Sequence, residues 1–159
     1  TLATVTMGGN DLLAAYGDAT AARRAIRTVV DNGRVVLATL RALMGAQAPI
    51  VVATVYDPSD GSGDAGRLGL PPWPEALELL AELNRVLRAL AEDHQALVAD
   101  VHGRFLGHGM AAGDPTQPTA RPPDRGLWYC RLIEPNAWGA SEIRAAFWAT
   151  LERTATEEA

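Results

Sequence analysis

Apolar positions along the chain follow two rhythms, and their order predicts an α/β protein. Leu2-Ala3-Thr4-Val5-Thr6-Met7 is short, partly β-branched and ends at Gly8-Gly9, which predicts a strand. Residues 10–17 read as a loop or a short helical turn. From Ala19 to Met44, Ile26, Val29, Val30, Leu37, Leu40 and Met44 recur at mostly helical spacing, with Asp31-Asn32-Gly33 as a break or a weak spot. Ile50 to Tyr56 is almost continuously apolar, as befits a strand buried on both faces of a parallel sheet. The stretch from Asp57 to Trp73 is rich in Gly, Pro, Ser and Asp and predicts a long loop, a kind of segment that often carries function. Pro74 then opens a helix striped by Leu77, Leu80, Leu83, Leu87 and Leu90. Ala96 to Val101 reads as a third strand and Gly107 to Gly126 as a second Pro/Gly loop. Asn136 to Thr154 reads as a closing helix with Ile143, Phe147 and Leu151 turned inward.

Strands alternating with helices predict a three-layer α/β/α fold around a parallel sheet. Three strands make a small sheet of this kind. The apolar character of the first strand implies missing neighbours, supplied from upstream of Thr1 or by another chain, because parallel strands are covered on both faces. No internal repeat is visible.

Composition narrows the function classes. The 159 residues fit a single domain, and 48% hydrophobic with 21% charged residues is ordinary for a globular chain. All 14 basic residues are arginine, which we read as the coding bias of a GC-rich genome. A formal net charge of −5 argues against a nucleic-acid partner, which would need a local basic patch. The single cysteine, Cys130, excludes an intrachain disulfide and a Cys-rich zinc site. No run of 18 apolar residues predicts a membrane span. The chain opens on Thr1 rather than Met and reads as the back part of something longer, so cytoplasmic and secreted locations both stay open.

Ligands of open α/β sheets bind outside the carboxyl ends of the strands. Gly8-Gly9-Asn10-Asp11, Tyr56-Asp57-Pro58 and Asp100-Val101-His102 arrive there, with Gly107-His108-Gly109 and Glu134-Pro135-Asn136 from later loops. Val5-Thr6-Met7-Gly8-Gly9-Asn10-Asp11 resembles the third block, Gly-x-Asn-Asp after a strand, of the SGNH/GDSL esterases and lipases. Pro135-Asn136-Ala137-Trp138-Gly139 with Ile143 resembles their last block, in which Asp-x-x-His precedes Pro-Asn-x-x-Gly and an apolar helix. The order of strands and helices between the two blocks agrees over essentially the whole chain. The resemblance implies a flavodoxin-like SGNH hydrolase fold lacking its first strands. It implies carboxylic ester hydrolysis by serine acyl transfer on a small-molecule ester, with no cofactor or metal.

Within that resemblance Asn10 matches the side-chain oxyanion donor, and Gly8, Gly9 and Asp11 flank it as substrate-binding candidates. An amide suits the role because it donates without having to ionise. The plainer reading of Asn10 is a turn or cap residue. The Gly-Asp-Ser nucleophile block and the block carrying the family's oxyanion glycine are absent. Ser59, Ser62 and Ser141 are the only serines, none in an elbow after a strand. The chain alone is therefore expected to lack serine-esterase activity, the rest of the parent protein supplying the nucleophile.

The last block departs as well, with Glu134 at the family's His position and Arg131 at its Asp position. A carboxyl group with an ordinary pKa near 4.3 is a poorer base than imidazole. The base candidates are Glu134, His102 and His108, the two histidines being just as readily loop residues in ordinary hydrogen bonds. His102 stands two residues after Asp100, on the same side if the strand continues. Trp128 is a candidate pocket wall with Tyr129, though aromatics here also serve plain packing. His94 ends the leucine-striped helix and Cys130 reads as a packing residue. The Asp57–Asp64 stretch fails the calcium-loop pattern from either starting aspartate and is expected to be a solvated acidic turn. The alternatives to an esterase are a non-catalytic SGNH-fold binding protein, favoured by Glu134 and Arg131, and an α/β module unrelated to hydrolysis. An uncovered apolar sheet edge favours self-association. Sedimentation should therefore show species larger than one chain, whereas a strictly monomeric, well-folded chain would mean a more complete sheet than expected.

Overall fold

The computed structural model describes residues 1–66, 69–110, 112, 126–130 and 133–157. Three parallel strands, β1 (Ala3–Val5), β2 (Ile50–Ala53) and β3 (Leu97–Ala99), form a sheet in the order β1-β2-β3. Ala3 lies opposite Ile50, and Val51 opposite Leu97. The helices are α1 (Gly9–Ala14), α2 (Ala19–Met44), α3 (Ala76–Asp93), α4 (Val101–Phe105) and α5 (Ala137–Glu157). A short antiparallel hairpin, β4 (Tyr129–Cys130) with β5 (Glu134–Pro135), leads into α5.

The sheet separates two cores. Ile50 and Val52 point to one face, against Ile26, Val29 and Leu37 of α2 and the leucines of α3. Val51 and Ala53 point to the other, against Phe105, Tyr129 and Ala146, with Ile143, Phe147 and Leu151 of α5 packed around them. This is the three-layer α/β/α arrangement that the strand–helix alternation predicts. It also explains why β2 shows no polar position: both of its faces are covered. The outer edge of β1 carries no partner strand among the described residues, and Leu2 beside it is 46% exposed.

Several boundaries differ from the sequence expectation. Helix α2 runs unbroken through Asp31-Asn32-Gly33. Gly33 is there because α3 and β1 approach closely: a Cβ on it would lie 2.5 Å from Leu90 Cδ2 and 3.1 Å from Met7 Sδ. Asp18 caps the same helix by accepting from the Thr20 and Ala21 N–H groups. Its far end is held by Arg41, whose guanidinium donates to the carbonyls of Gly45, Ala46, Ala48 and Gln95. The third strand stops at Ala99, and Asp100 instead caps α4 through the Gly103 N–H. The expected strand alternation of Asp100 and His102 is therefore lost. The hairpin was not legible as strands because each arm has only two residues.

Where the hairpin meets α5, the Asn136 side chain accepts from the Gly139 N–H and donates to the Leu127 carbonyl. Gly139 sits against the chain before the hairpin, and a Cβ there would lie 2.4 Å from the Trp128 carbonyl oxygen, a backbone atom that cannot rotate away. Gly139→Ala is therefore expected to destabilise the protein by about 1–3 kcal/mol despite alanine's better helix propensity. Denaturant unfolding measures this, and a neutral or stabilising result would mean that the hairpin can shift.

Candidate functional site

A cavity of about 610 Å³ opens at the carboxyl ends of β1 and β2. Its walls come from the β1–α1 turn, the segment after β2, α1, the start of α3 and the long loop between β2 and α3. Gly8, Gly9, Asn10 and Asp11 all line it, as do Thr54, Val55, Tyr56, Asp57 and Ser59. Gly8 turns the chain from strand to helix in the left-handed region, φ 91°, where glycine is favoured. A Cβ there would also meet Leu83 Cδ1 at 2.9 Å. This packed turn presents Asn10 in the first turn of α1, solvent-exposed, with a side-chain amide that makes no hydrogen bond among the described residues.

The wall after β2 is built by buried polar side chains. Sheet pairing continues one residue past β2, the Thr54 N–H donating to the Ala99 carbonyl at 3.1 Å. Beyond that no strand among the described residues reaches Val55, and the 95%-buried Asn84 of α3 takes over. Its Oδ1 accepts from the Val55 N–H at 2.7 Å and its Nδ2 donates to the Val55 carbonyl at 2.9 Å. Sequence reasoning missed Asn84, yet a signal existed: it falls on the apolar face of α3, four residues after Leu80 and three before Leu87.

Asp57 and Asp60 correct the expectation of a solvated acidic turn, since they are only 5% and 1% exposed. Asp57 accepts from the Ser59 N–H, the Ser59 hydroxyl and the Gly61 N–H at 2.7–2.8 Å. Asp60 accepts from the Gly107 and Gly109 N–H groups at 3.0 and 2.9 Å, so it ties this loop to the one after α4. Dense hydrogen bonding of this kind compensates for the loss of water around a buried carboxylate. Asp64 alone of the three stays exposed. No group of three or more His, Cys, Asp or Glu able to hold a metal occurs among the described residues. No described helix is long and apolar enough to cross a membrane.

Two of the three serines hold the loop after β2. The Ser59 hydroxyl donates to Asp57 and accepts from the Gly63 N–H, the Ser62 hydroxyl donates to the Ser59 carbonyl, and Ser141 lies within α5. The other site candidates do not line the cavity. His102, in α4, is half-buried, and its Nδ1 lies 3.1 Å from the Val55 carbonyl. A carbonyl only accepts, so Nδ1 carries the proton and a neutral ring keeps its lone pair on Nε2. His108 is 3% exposed, stacked on Trp128 at 3.3 Å between ring centroids, with Nδ1 3.0 Å from the Gly126 carbonyl. Trp128 also sets its edge against Phe105, so its ring serves the second core. Glu134 is exposed on β5, and Arg131 lies outside the described residues, as does most of the loop from Gly107 to Gly126. His94 caps the carboxyl end of α3, and Cys130 is exposed rather than buried as a packing residue.

Tyr56 connects the cavity to the hairpin. Its hydroxyl donates to the Ile133 carbonyl at 3.0 Å, and its ring stacks on Phe105. Burial, followed by the charge of Glu134, pushes its pKa above the usual tyrosine value. Burial raises Tyr129 further, with Tyr56, Asp60 and Asp57 adding to the effect, and its hydroxyl has no partner among the described residues.

Comparison with known proteins places this geometry in context. The model of the GDSL-like lipase/acylhydrolase family matches residues 1–141. A search of curated proteins finds no match. Solved structures with a similar fold include a Parabacteroides merdae protein described as a GDSL-like lipase, with TM-score 0.61 and 16% identity over 94% of this chain and 59% of that one. An acetylxylan esterase from Geobacillus stearothermophilus matches with TM-score 0.59 and 16% identity, covering 94% and 58%. An alpha/beta hydrolase from the metagenome of Lake Arreo, Spain, matches with TM-score 0.58 and 20% identity, also covering 94% and 58%. The chain thus spans a little under three fifths of the length of these structures.

The Asn84 clamp gives a direct test of how the wall is held. Asn84→Leu leaves the Val55 N–H without its acceptor and is expected to cost about 1–3 kcal/mol. Amide exchange at Val55 should accelerate more than exchange in the middle of β2. Equal acceleration at both places would mean that Asn84 acts only through packing.

Proposed function

The chain belongs to the GDSL-like lipase/acylhydrolase family, and from that premise we propose that its cavity is the substrate side of a carboxylic ester hydrolase acting by serine acyl transfer. The observation that carries this reading is the Asn10 amide, exposed at the cavity wall with no hydrogen bond to another described residue. The Thr54, Tyr56, Asp57 and Ser59 side chains are engaged elsewhere, whereas the Asn10 amide is available to donate to a carbonyl oxygen as it becomes an oxyanion. One such donor contributes about 2.7–4 kcal/mol to the transition state. Gly8, Gly9 and Asp11 shape the same wall and complete the substrate-binding set. The nucleophile is not one of the serines of these 159 residues, none of which stands in an elbow after a strand, so the 159-residue chain by itself is expected to be inactive.

The general base is His102, His108 or Glu134. His102 has the geometry closest to the task, because its Nδ1 is tied to the Val55 carbonyl and its Nε2 is left as an acceptor. Its ring also hangs from a residue that lines the cavity. A second reading, a non-catalytic binding protein with the same fold, draws support from Glu134. An exposed carboxylate stands where the family's last block carries histidine, and no histidine lines the cavity among the described residues.

Hydrolysis of p-nitrophenyl acetate by the full-length protein tests both. Asn10→Ala is expected to lower kcat/KM at least about tenfold, and an unchanged rate removes Asn10 from the mechanism. His102→Ala is expected to abolish turnover with the fold intact by circular dichroism. If Glu134→Gln abolishes turnover while both histidine variants keep it, the histidine assignment fails. Ester binding with no turnover by the wild-type full-length protein supports the non-catalytic reading.

A further inference from the structure

Resting on the ester reading with His102 as its base, we propose that Asn84 is a positioning residue for that base, holding the Val55 carbonyl from which the His102 ring hangs. This carbonyl meets two side chains, Asn84 Nδ2 at 2.9 Å and His102 Nδ1 at 3.1 Å. A carbonyl oxygen has two lone pairs, so each donor has its own. Asn84 Oδ1 also accepts from the Val55 N–H at 2.7 Å. One side chain thus grips the peptide groups on both sides of the Val55 Cα, and the carbonyl is kept from turning away from the ring. Asn84 is itself buried, on the face of α3 that carries Leu80, Leu83 and Leu87.

The backbone of His102 is fixed from the same place. Its N–H donates to the Thr54 hydroxyl at 2.9 Å, and that hydroxyl donates to Asp100 Oδ1 at 3.1 Å. The same carboxylate oxygen accepts from Arg88 at 2.8 Å. Arg88 stands one helical turn after Asn84, so α3 reaches both supports. The Arg88–Asp100 pair is partly solvated and weak for that reason, so the hold on His102 falls chiefly to the buried amide. With its N–H on Thr54, His102 keeps one freedom, the setting of its ring, and the Val55 carbonyl decides it. A proton on Nδ1 leaves the Nε2 lone pair to take the proton of an attacking hydroxyl, and the Nδ1–H···O bond strengthens once the ring is cationic. Free of that carbonyl, the ring reverts to the Nε2–H tautomer favoured in water, whose Nε2 has no lone pair to offer.

Nitrogen-15 chemical shifts of the imidazole rings in the full-length protein, at a pH where the rings are neutral, read the tautomer without requiring turnover. Wild-type His102 is expected to be Nδ1–H, and Asn84→Leu to shift it to mainly Nε2–H. His108 is the internal control, because its Nδ1 contact with the Gly126 carbonyl does not involve Asn84, and its tautomer should stay put. With p-nitrophenyl acetate the same variant is expected to lower kcat about ten- to a hundredfold with KM unchanged. Asn84→Ala, which removes the same two bonds without added bulk, replaces the leucine variant if that one does not fold. A His102 ring that is Nε2–H in the wild type, that stays Nδ1–H in the folded variants, or that shifts together with His108 overturns the positioning role. So does a shifted tautomer with unchanged kcat. A wild-type protein without turnover, in which the tautomer shift is still confined to His102, overturns the ester reading and leaves the hold of Asn84 on the ring standing.

Discussion

All four residues of β2 are shut away from water on both faces, and that single constraint organises the molecule. Helices must cover each face, which places α2 and α3 on one side and α5 on the other. No polar group can face inward along the strand itself, so chemistry is confined to its end. There the backbone leaves the sheet and its N–H and C=O groups lose their partners. A buried backbone group without a partner costs about as much as a lost hydrogen bond, so the end of β2 needs substitutes for strand pairing.

Three side chains supply them. Asn84 mimics a neighbouring strand at Val55, Asp57 gathers the donors of its own turn, and Asp60 joins that turn to the loop after α4. The same bonds that satisfy the backbone set the position of the cavity wall. Structural commitment of this kind also sorts the polar residues by availability. Ser59 is a turn anchor by geometry. Asn10 reads as a turn residue or an oxyanion donor from the sequence, and its amide makes no hydrogen bond among the described residues.

The family match covers 141 of the 159 residues and agrees with the architecture. The hairpin carries Glu134, which the resemblance read from the sequence aligns with the histidine of the last block. The hairpin is anchored from both sides, by the Tyr56 hydroxyl on Ile133 and by Asn136 on Leu127 and Gly139. It holds Glu134 exposed to solvent. The two histidines in and after α4 instead have fixed Nδ1 contacts, so their tautomers are set by backbone carbonyls.

Periodicity alone determined the α/β class, the order of strands and helices, the inward faces of α3 and α5, and the β1–α1 turn with Asn10 at the sheet's carboxyl edge. These depend on local propensity and on burial repeating along one element, and both are written into neighbouring residues. Tertiary structure alone decided the unbroken α2, the early end of β3 and the two-residue hairpin arms. It also decided the burial of Asp57 and Asp60 and the separation of His102, His108 and Glu134 from the cavity lining. Gly33 reads as a helix breaker until Leu90 and Met7 are seen against it. Asp60 reads as a surface turn until Gly107 and Gly109 arrive from 47 and 49 residues away. Each of these outcomes depends on a contact between distant segments, and no local pattern carries the identity of a partner that only folding brings near.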